Sequence, residues 1–244
     1  MGRSLRDRED LHAMHTPDRV SERLEAGTPQ SYLKDLVYGG IDGTITTFAV
    51  VSGVVGANLD TGIVVILGLA NLLADGFSMA VSNFLGTRAE RQFLHKMRLE
   101  EQEEIRLIPE GEREEIRQIY AHKGFEGELL EQVVEVITSD EKVWVDTMLQ
   151  VEHGLLLEGP EPGRAAWFTF VAFLIAGSVP ILPFIFNLVI DDGIPAPFLW
   201  SSLATAGTFA AIGVFKARVV GTSRIMAGIE TVAVGGAAAV LAYG

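Results

Sequence analysis

The stretch that decides the fold covers residues 36–107. It begins LVYGGIDGTITTFAVVSG (36–53), continues through ANLLADGFSMAVSNFLG (70–86) and passes directly into RAERQFLHKMRLEEQEEIRL (88–107). Two apolar segments, each near the length of about 20 residues that crosses a bilayer as a helix, therefore lead into a carboxylate-rich segment. This order predicts a membrane protein with an acidic helical extension.

The composition supports this reading and excludes several classes of protein. Hydrophobic residues make up 48% of the chain, and the mean hydropathy of +0.30 is too high for an ordinary soluble protein. The formal net charge of -13 argues against nucleic acid as a partner, because phosphate binding needs clustered Lys and Arg. The chain contains no cysteine, so a metal ion would be bound by oxygen, imidazole or thioether groups.

The apolar pattern predicts an all-α, polytopic membrane protein with five transmembrane helices. The predicted spans are 36–57, 62–86, 165–190, 194–215 and 225–243. The 19 Lys and Arg residues fall into three groups: six in 1–34, ten in 88–164 and three in 216–224. Five spans place all three groups on one side of the membrane, and the positive-inside rule makes that side the cytoplasm. The N-terminus is thus predicted inside and the C-terminus outside.

These spans divide the chain into four parts. They are a cytoplasmic tail (1–34), spans 1 and 2 (35–87), a cytoplasmic acidic domain (88–164) and spans 3 to 5 (165–244). The acidic domain contains 19 of the 32 acidic residues. The second span is expected to continue into it as one helix, followed by helices over 110–121, 126–138 and 140–157. The tail is predicted to be mobile or to form a short surface helix. Its residues His12 and His15 could form a metal-binding pair on a helix, or they could simply be solvated.

Three acidic residues lie inside the predicted spans: Asp42, Asp75 and Glu230. An ionised side chain there costs at least about 2.5 kcal/mol at the helix centre, so each is a candidate functional residue. Asn71, Asp75 and Met79 recur at four-residue spacing and share one helix face, which suits a cation path. The alternative is that the aspartates are helix-packing groups and that Glu230 reaches the interface from a helix end.

Several acidic-domain glutamates interrupt apolar stripes on the predicted helices. Glu101 lies in the middle of one stripe with Glu104 beside it, Glu112 and Glu115 repeat the spacing, and Glu152 aligns with a buried face that includes Met148. A carboxylate in such a stripe needs a partner. A site with several carboxylates and a thioether would bind a divalent metal ion of intermediate softness, such as Fe²⁺ or Mn²⁺, and would not be restricted to Mg²⁺. The alternative is a set of solvated helix faces, which fits Glu100, Glu103 and Glu114.

The third span carries VPILP, with Pro180 and Pro183. The two prolines predict a kink and carbonyl groups without helical partners. The sequence alone does not decide between a structural kink and a mobile gate. The chain contains no Walker, nucleophile-elbow or kinase motif, which indicates neither an ATP-driven nor a hydrolytic step.

Taken together, these segments resemble the vacuolar iron transporter family. The resemblance rests on YGGIDGTITTFAVVSG (38–53), GFSMAVSNFLG (76–86), the block from EEQEEI to PEGEREEI (100–116), TMLQVEHGL (147–155) and VPILP (179–183). It implies a homodimer with five spans and a cytoplasmic metal-binding domain. It also implies export of Fe²⁺, and often of other divalent metals, in exchange for protons.

The resemblance also implies roles for individual residues. Asp42 and Met79 match the family's translocation residues. The family's metal-domain ligands match Glu101, Glu104, Glu112, Glu115, Met148 and Glu152. One departure is Asn71, where an acidic residue is expected early in the second span of eukaryotic members. Because Asp75 follows one turn later, the second-span carrier is left open.

The sequence therefore predicts a secondary transporter, not an enzyme, in a bacterial inner membrane. Fe²⁺ is the expected cargo, with Mn²⁺, Co²⁺ and Zn²⁺ as further candidates and no permanent cofactor. One alternative is a membrane-tethered, ferritin-like iron-oxidising protein, although 88–164 lacks the Glu-x-x-His motif of such sites. Another is a metal sensor or adaptor without transport.

Overall fold

A computed structural model describes residues 5–26, 31–190 and 193–243. Helices make up 85% of the structure, and the described ranges contain no strand. By their contacts the residues form two units, Met1–Ser31 and Tyr32–Gly244. The predicted all-α fold class is confirmed.

The described part of the first unit contains two short helices, α1 (Leu5–Met14) and α2 (Pro17–Ala26). His12 lies in the last turn of α1, and the His15 imidazole Nδ1 lies 2.7 Å from the carbonyl oxygen of Leu11. The tail thus contains short helices, and metal binding by its histidines stays a prediction.

The second unit contains nine α-helices within its described residues. They are α3 (Leu33–Gly56), α4 (Thr61–Leu107), α5 (Pro109–His122), α6 (Gly127–Thr138), α7 (Glu141–Val151), α8 (Pro162–Ser178), α9 (Leu182–Val189), α10 (Pro197–Val220) and α11 (Arg224–Tyr243). A 3₁₀ turn, Val179–Ile181, joins α8 to α9. Within the described residues, four segments are long and apolar enough to cross a membrane: α3, α4, the α8–α9 segment and α10. The 20-residue α11 coincides with the fifth predicted span, whose crossing stays a prediction.

The helix α4 is the longest element, with 47 residues. At 1.5 Å per residue it extends about 70 Å, more than twice the roughly 30 Å of hydrocarbon in a bilayer. The expected continuation of the second span into the acidic segment is therefore confirmed. One rigid element joins the membrane part to the acidic part.

The first span packs closely against α8 because glycines line its contact face. A Cβ atom at Gly43 would lie 2.5 Å from the carbonyl oxygen of Phe173, and one at Gly39 would meet the carbonyl of Thr169. From the other side, a Cβ at Gly177 would lie 2.7 Å from the Gly43 carbonyl. Small residues are what allow membrane helices to approach this closely.

The predicted kink at VPILP is confirmed by the 3₁₀ turn between α8 and α9. The Ser201 hydroxyl group of α10 donates a hydrogen bond of 2.7 Å to the carbonyl oxygen of Pro180, and Ser201 is buried. A neighbouring helix therefore satisfies a carbonyl at the break, as a structural kink requires.

Large apolar side chains are exposed along the membrane helices. Examples are Ile66, Leu73, Phe77, Trp167, Ile175 and Trp200. Exposed surface of this kind suits contact with lipid or with another protein chain rather than with water.

We call residues 88–164 the acidic region. Its helices α5, α6 and α7 pack with the end of α4 around an apolar cluster of Ile116, Val134, Ile137, Trp144 and Met148. Arg98 of α4 donates a 2.6 Å hydrogen bond to Asp146 of α7, which ties the two helices together. The helix predicted over 140–157 is wrong in its end, since α7 stops at Val151.

The early end of α7 has a local cause. The backbone N–H groups of Glu152 and His153 both bond to the Met148 carbonyl, and Gly154 follows with φ +66°. A left-handed glycine at this point ends the helix and turns the chain. Leu155, inside the predicted helix, therefore lies beyond the observed one.

Candidate metal-binding sites

The predicted translocation residues lie on α3 and α4. Asp42 and Asp75 are close enough for their carboxylates to repel each other. Asp42 is half-buried, whereas Asp75 is exposed on the surface of the single chain. Met79, one turn further along α4, is half-buried and packs against the apolar cluster around Phe173. The structure thus brings two carboxylates together with a thioether one turn away.

Asn71 does not carry a charge but ties the two helices together. Its amide group lies 3.3 Å from the Thr46 hydroxyl and 3.4 Å from the Thr47 hydroxyl of α3. At this position the observed contacts are those of a packing residue, one turn before Asp75. In the predicted stripe of Asn71, Asp75 and Met79, Asp75 is therefore the residue that can carry a charge.

Glu230 has a different environment. Its carboxylate lies 3.8 Å from the ammonium group of Lys216 on α10, and its side chain is exposed. For this residue the sequence leaves open a functional role in the ion path and an end-of-helix role. An ion pair with a neighbouring helix favours a structural role.

A buried polar network that the sequence analysis missed joins α3, α4 and α8. The Asn83 amide donates hydrogen bonds of 2.7 Å to the Asp35 carboxylate and of 2.7 Å to the Thr169 hydroxyl. Asp35 is buried, although it lies just before the predicted start of the first span. The signal that could have identified it is its seven-residue spacing from Asp42, which places both on one helix face.

The first cluster in the acidic region consists of Glu101, Glu104 and Glu112. One carboxylate oxygen from each lies within 4.8 Å of the others. Glu101 and Glu112 are each only 2% exposed. Among the residues that the structure describes, the Oε2 atoms of Glu101 and Glu112 have no hydrogen-bond partner. Buried anionic oxygens without partners are costly, so this cluster is suited to receive a cation.

Burial of this kind changes the protonation of Glu112. Desolvation, followed by repulsion from Glu115, Glu101, Glu104 and Glu152, raises the pKa of Glu112 to about 7. At neutral pH the cluster therefore holds one carboxyl group poised between its two protonation states. A bound cation would favour the ionised form.

A second cluster shares Glu101 and adds Glu152 and His153. The His153 ring nitrogen Nε2 donates a 2.6 Å hydrogen bond to Glu101 Oε1 and lies 3.9 Å from a Glu152 oxygen. The Glu101 hydrogen bond, more than the burial that opposes it, raises the pKa of His153. Sequence reasoning missed His153 because it looked for histidine at Glu-x-x-His spacing, whereas this contact spans 52 residues.

The remaining predicted ligands lie beside these clusters. Glu115 is exposed and contacts Glu152, and desolvation followed by repulsion from Glu152 raises the pKa of Glu115. Met148 is fully buried and belongs to the apolar cluster of the region. Its role as a thioether ligand stays a prediction.

The glutamates assigned to solvated surface are paired with basic residues. Glu100 lies 3.1 Å from Lys96, Glu103 pairs with Arg106, and Glu114 pairs with Arg117. Each pair sits within one helix on an exposed face. Burial confirms the in-stripe prediction for Glu101 and Glu112, whereas the other in-stripe glutamates, Glu104, Glu115 and Glu152, are exposed.

The family to which this arrangement belongs follows from comparison with known proteins. The family model described as the VIT family matches residues 33–244. The chain belongs to the VIT family. This result confirms the resemblance found in the sequence, and the matched range covers α3 to α11, so the membrane helices and the acidic region both lie within it.

Curated relatives support the same assignment. The chain is 32% identical to a vacuolar iron transporter of Toxoplasma gondii, over 98% of this chain and 83% of that protein. It is 30% identical to vacuolar iron transporter 2 of Oryza sativa subsp. japonica, over 89% of this chain and 87% of that protein. It is 29% identical to vacuolar iron transporter 1 of Arabidopsis thaliana, over 88% of this chain and 85% of that protein. In each comparison, the similarity therefore covers most of the length of this chain and most of the length of the relative.

Proposed function

We propose that this VIT-family chain is a secondary transporter that moves Fe²⁺ out of the cytoplasm in exchange for protons. The observation that carries the proposal is a pair of buried carboxylate oxygens, on Glu101 of α4 and Glu112 of α5, that have no hydrogen-bond partner among the described residues and lie near one end of the continuous helix α4. That same helix carries Asp75 and Met79 in the membrane. The names of the relatives support iron as the cargo.

The acidic region would capture the ion on the cytoplasmic side. Glu101, Glu104 and Glu112 supply oxygen ligands, while Glu115, Glu152 and Met148 lie close by. Fe²⁺ accepts such a set, and Mn²⁺, Co²⁺ and Zn²⁺ are further candidate cargoes. The placement of Lys and Arg on one side of the spans supports a cytoplasmic location for this region.

Translocation would run along Asp42, Asp75 and Met79. An exposed carboxylate such as Asp75 is not stable against lipid, so it must face a hydrated path or another protein chain. A homodimer that covers this face of α4 satisfies that requirement. Proton binding to Asp42 or Asp75 would then release the metal ion and return the carrier, which couples export to the proton gradient.

The test is proton-driven Fe²⁺ uptake into proteoliposomes that contain the full chain. Asp42→Asn removes the carboxylate with little change in shape and should abolish uptake. Asp60→Asn is the matched control, because Asp60 is exposed in the turn before α4. Full transport by the Asp42 variant would refute the mechanism, and oxygen consumption on adding Fe²⁺ without transport would favour the iron-oxidising alternative.

A further inference from the structure

The backbone around His153 holds this residue in a defined position. Both the Glu152 and the His153 N–H groups bond to the Met148 carbonyl, at 3.0 and 3.3 Å, and the Leu155 N–H bonds to the Leu149 carbonyl at 2.9 Å. Gly154 takes a positive φ that other residues adopt only with strain. His153 is therefore fixed at the end of α7 rather than carried on a free loop.

This position places the imidazole against a buried carboxylate of another helix. Nε2 of His153 lies 2.6 Å from Glu101 Oε1, and the Glu101 side chain is almost completely buried. The other oxygen of Glu101 has no hydrogen-bond partner within the described part of the chain. Glu152, the neighbour of His153, adds a second carboxylate on the same side.

The donor atoms of the two clusters differ in chemistry. Glu101, Glu104 and Glu112 offer only oxygen, which suits Mg²⁺, Ca²⁺ and Mn²⁺ as well as Fe²⁺. Imidazole favours Fe²⁺, Co²⁺, Ni²⁺, Cu²⁺ and Zn²⁺ over Mg²⁺ and Ca²⁺. A nitrogen donor close to the carboxylates would therefore favour these transition metal ions over Mg²⁺ and Ca²⁺.

We propose that His153 is a metal ligand that forms, with Glu101 and Glu152, a mixed nitrogen and oxygen site for a divalent transition metal ion. This site adjoins the all-oxygen cluster and shares Glu101 with it. The inference rests on the proposed function of the acidic region in metal capture. It assigns discrimination against Mg²⁺ and Ca²⁺ to the imidazole.

The experiment measures binding of Co²⁺, Zn²⁺ and Mg²⁺ to the full-length protein in detergent, after removal of any histidine tag. His153→Gln keeps a hydrogen-bond donor near Glu101 but removes the imidazole. We expect it to weaken Co²⁺ and Zn²⁺ binding at least about tenfold, with a much smaller effect on Mg²⁺. His95→Gln is the control, because His95 is exposed on the same helix as Glu101 and belongs to neither cluster.

A spectroscopic measurement separates a ligand from a residue that only orients Glu101. Pulsed electron paramagnetic resonance of bound Cu²⁺ detects the remote nitrogen of a coordinated imidazole. The chain has five histidines, and none lies in a predicted span, so a nitrogen signal cannot come from the membrane path. We expect the signal in the wild type and in the His95 variant, and its loss in His153→Gln.

Two outcomes distinguish this inference from the proposed function. If Glu101→Gln abolishes Co²⁺ binding while His153→Gln changes neither affinity nor spectrum, the histidine is not a ligand and only this inference fails. If Glu101→Gln also leaves binding unchanged, metal capture by the acidic region fails with it. His153→Asn serves as a second variant, and an unchanged emission of the buried Trp144 verifies that each variant is folded.

Discussion

Without a bound metal ion, the buried carboxyl group of Glu112 should make the acidic region less stable as the pH rises. Its pKa of about 7 lies above the ordinary value of 4.5, so the unfolded chain loses this proton at lower pH than the folded one. The associated stability is fully present below pH 4.5 and is lost as the pH rises through 7. The difference of about 2.5 pH units corresponds to about 3 kcal/mol above pH 7.

Glu112→Gln should recover much of this free energy. The Gln amide stays neutral at every pH and can donate to the neighbouring carboxylates of Glu101 and Glu104. At pH 8 and without metal, we expect the variant to be more stable than the wild type by up to about 3 kcal/mol, with little difference at pH 4.5. It should also lose the stabilisation that a bound metal ion gives the wild type.

Trp144 provides the assay, because it is buried in the apolar cluster of the acidic region. The other two tryptophans, Trp167 and Trp200, are exposed on membrane helices and can be replaced by phenylalanine. Thermal unfolding followed by Trp144 fluorescence is then compared from pH 4.5 to 8, with Mn²⁺ or with a chelator. Glu110→Gln, an exposed position on α5, is the matched control.

Two results would refute the reasoning. One is an equal pH dependence of the unfolding midpoint in the wild type and in Glu112→Gln. The other is a variant that is less stable than the wild type at pH 8 without metal. Either would mean that burial of Glu112 does not destabilise its ionised form.

Three further predictions follow from packing and protonation. Gly43→Ala should lower the amount of folded protein, because its Cβ would lie 2.5 Å from a backbone carbonyl of α8. Gly53→Ala should not, because no atom lies within 4 Å of a Cβ at that position; thermal unfolding midpoints in detergent test both variants. Ser201→Ala leaves the Pro180 carbonyl without its hydrogen bond and should cost about 1 to 3 kcal/mol, measured by the same midpoints. Metal affinity should fall by up to about tenfold per pH unit below pH 7, because a metal ion must displace the Glu112 proton; titrations with Mn²⁺ at pH 5.5, 6.5 and 7.5 measure it.

Helical periodicity predicted the burial of some glutamates and not of others. Glu101 and Glu112 interrupt apolar stripes in the sequence, and both are buried in the structure, whereas Glu103 and Glu114 fall outside the stripes and pair with arginines on the surface. Periodicity succeeds at these positions because burial on a helix depends mainly on which face a residue occupies. It overestimated the burial of Glu104, Glu115 and Glu152, which are exposed.

Contacts between distant segments could not be read in the same way. His153 contacts Glu101 from the turn that follows α7, whereas the prediction placed it inside a helix that ran to 157. The available signal was Gly154 itself, since a glycine after a basic residue is a common helix stop. Asp35 was missed because the predicted span began one residue after it.

The length of α4 limits how the two parts of the protein can cooperate. Glu101 follows Asp75 by 26 residues on α4, a rise of about 39 Å, which is far beyond the reach of any side chain. An ion cannot therefore pass from one carboxylate to the other by direct ligand exchange along this helix. On the proposed function, the acidic region would act by raising the local metal concentration, and the paired carboxylates of Asp42 and Asp75 would determine whether an ion crosses. In both places carboxylates lie close enough to repel one another, and a bound cation would relieve that repulsion.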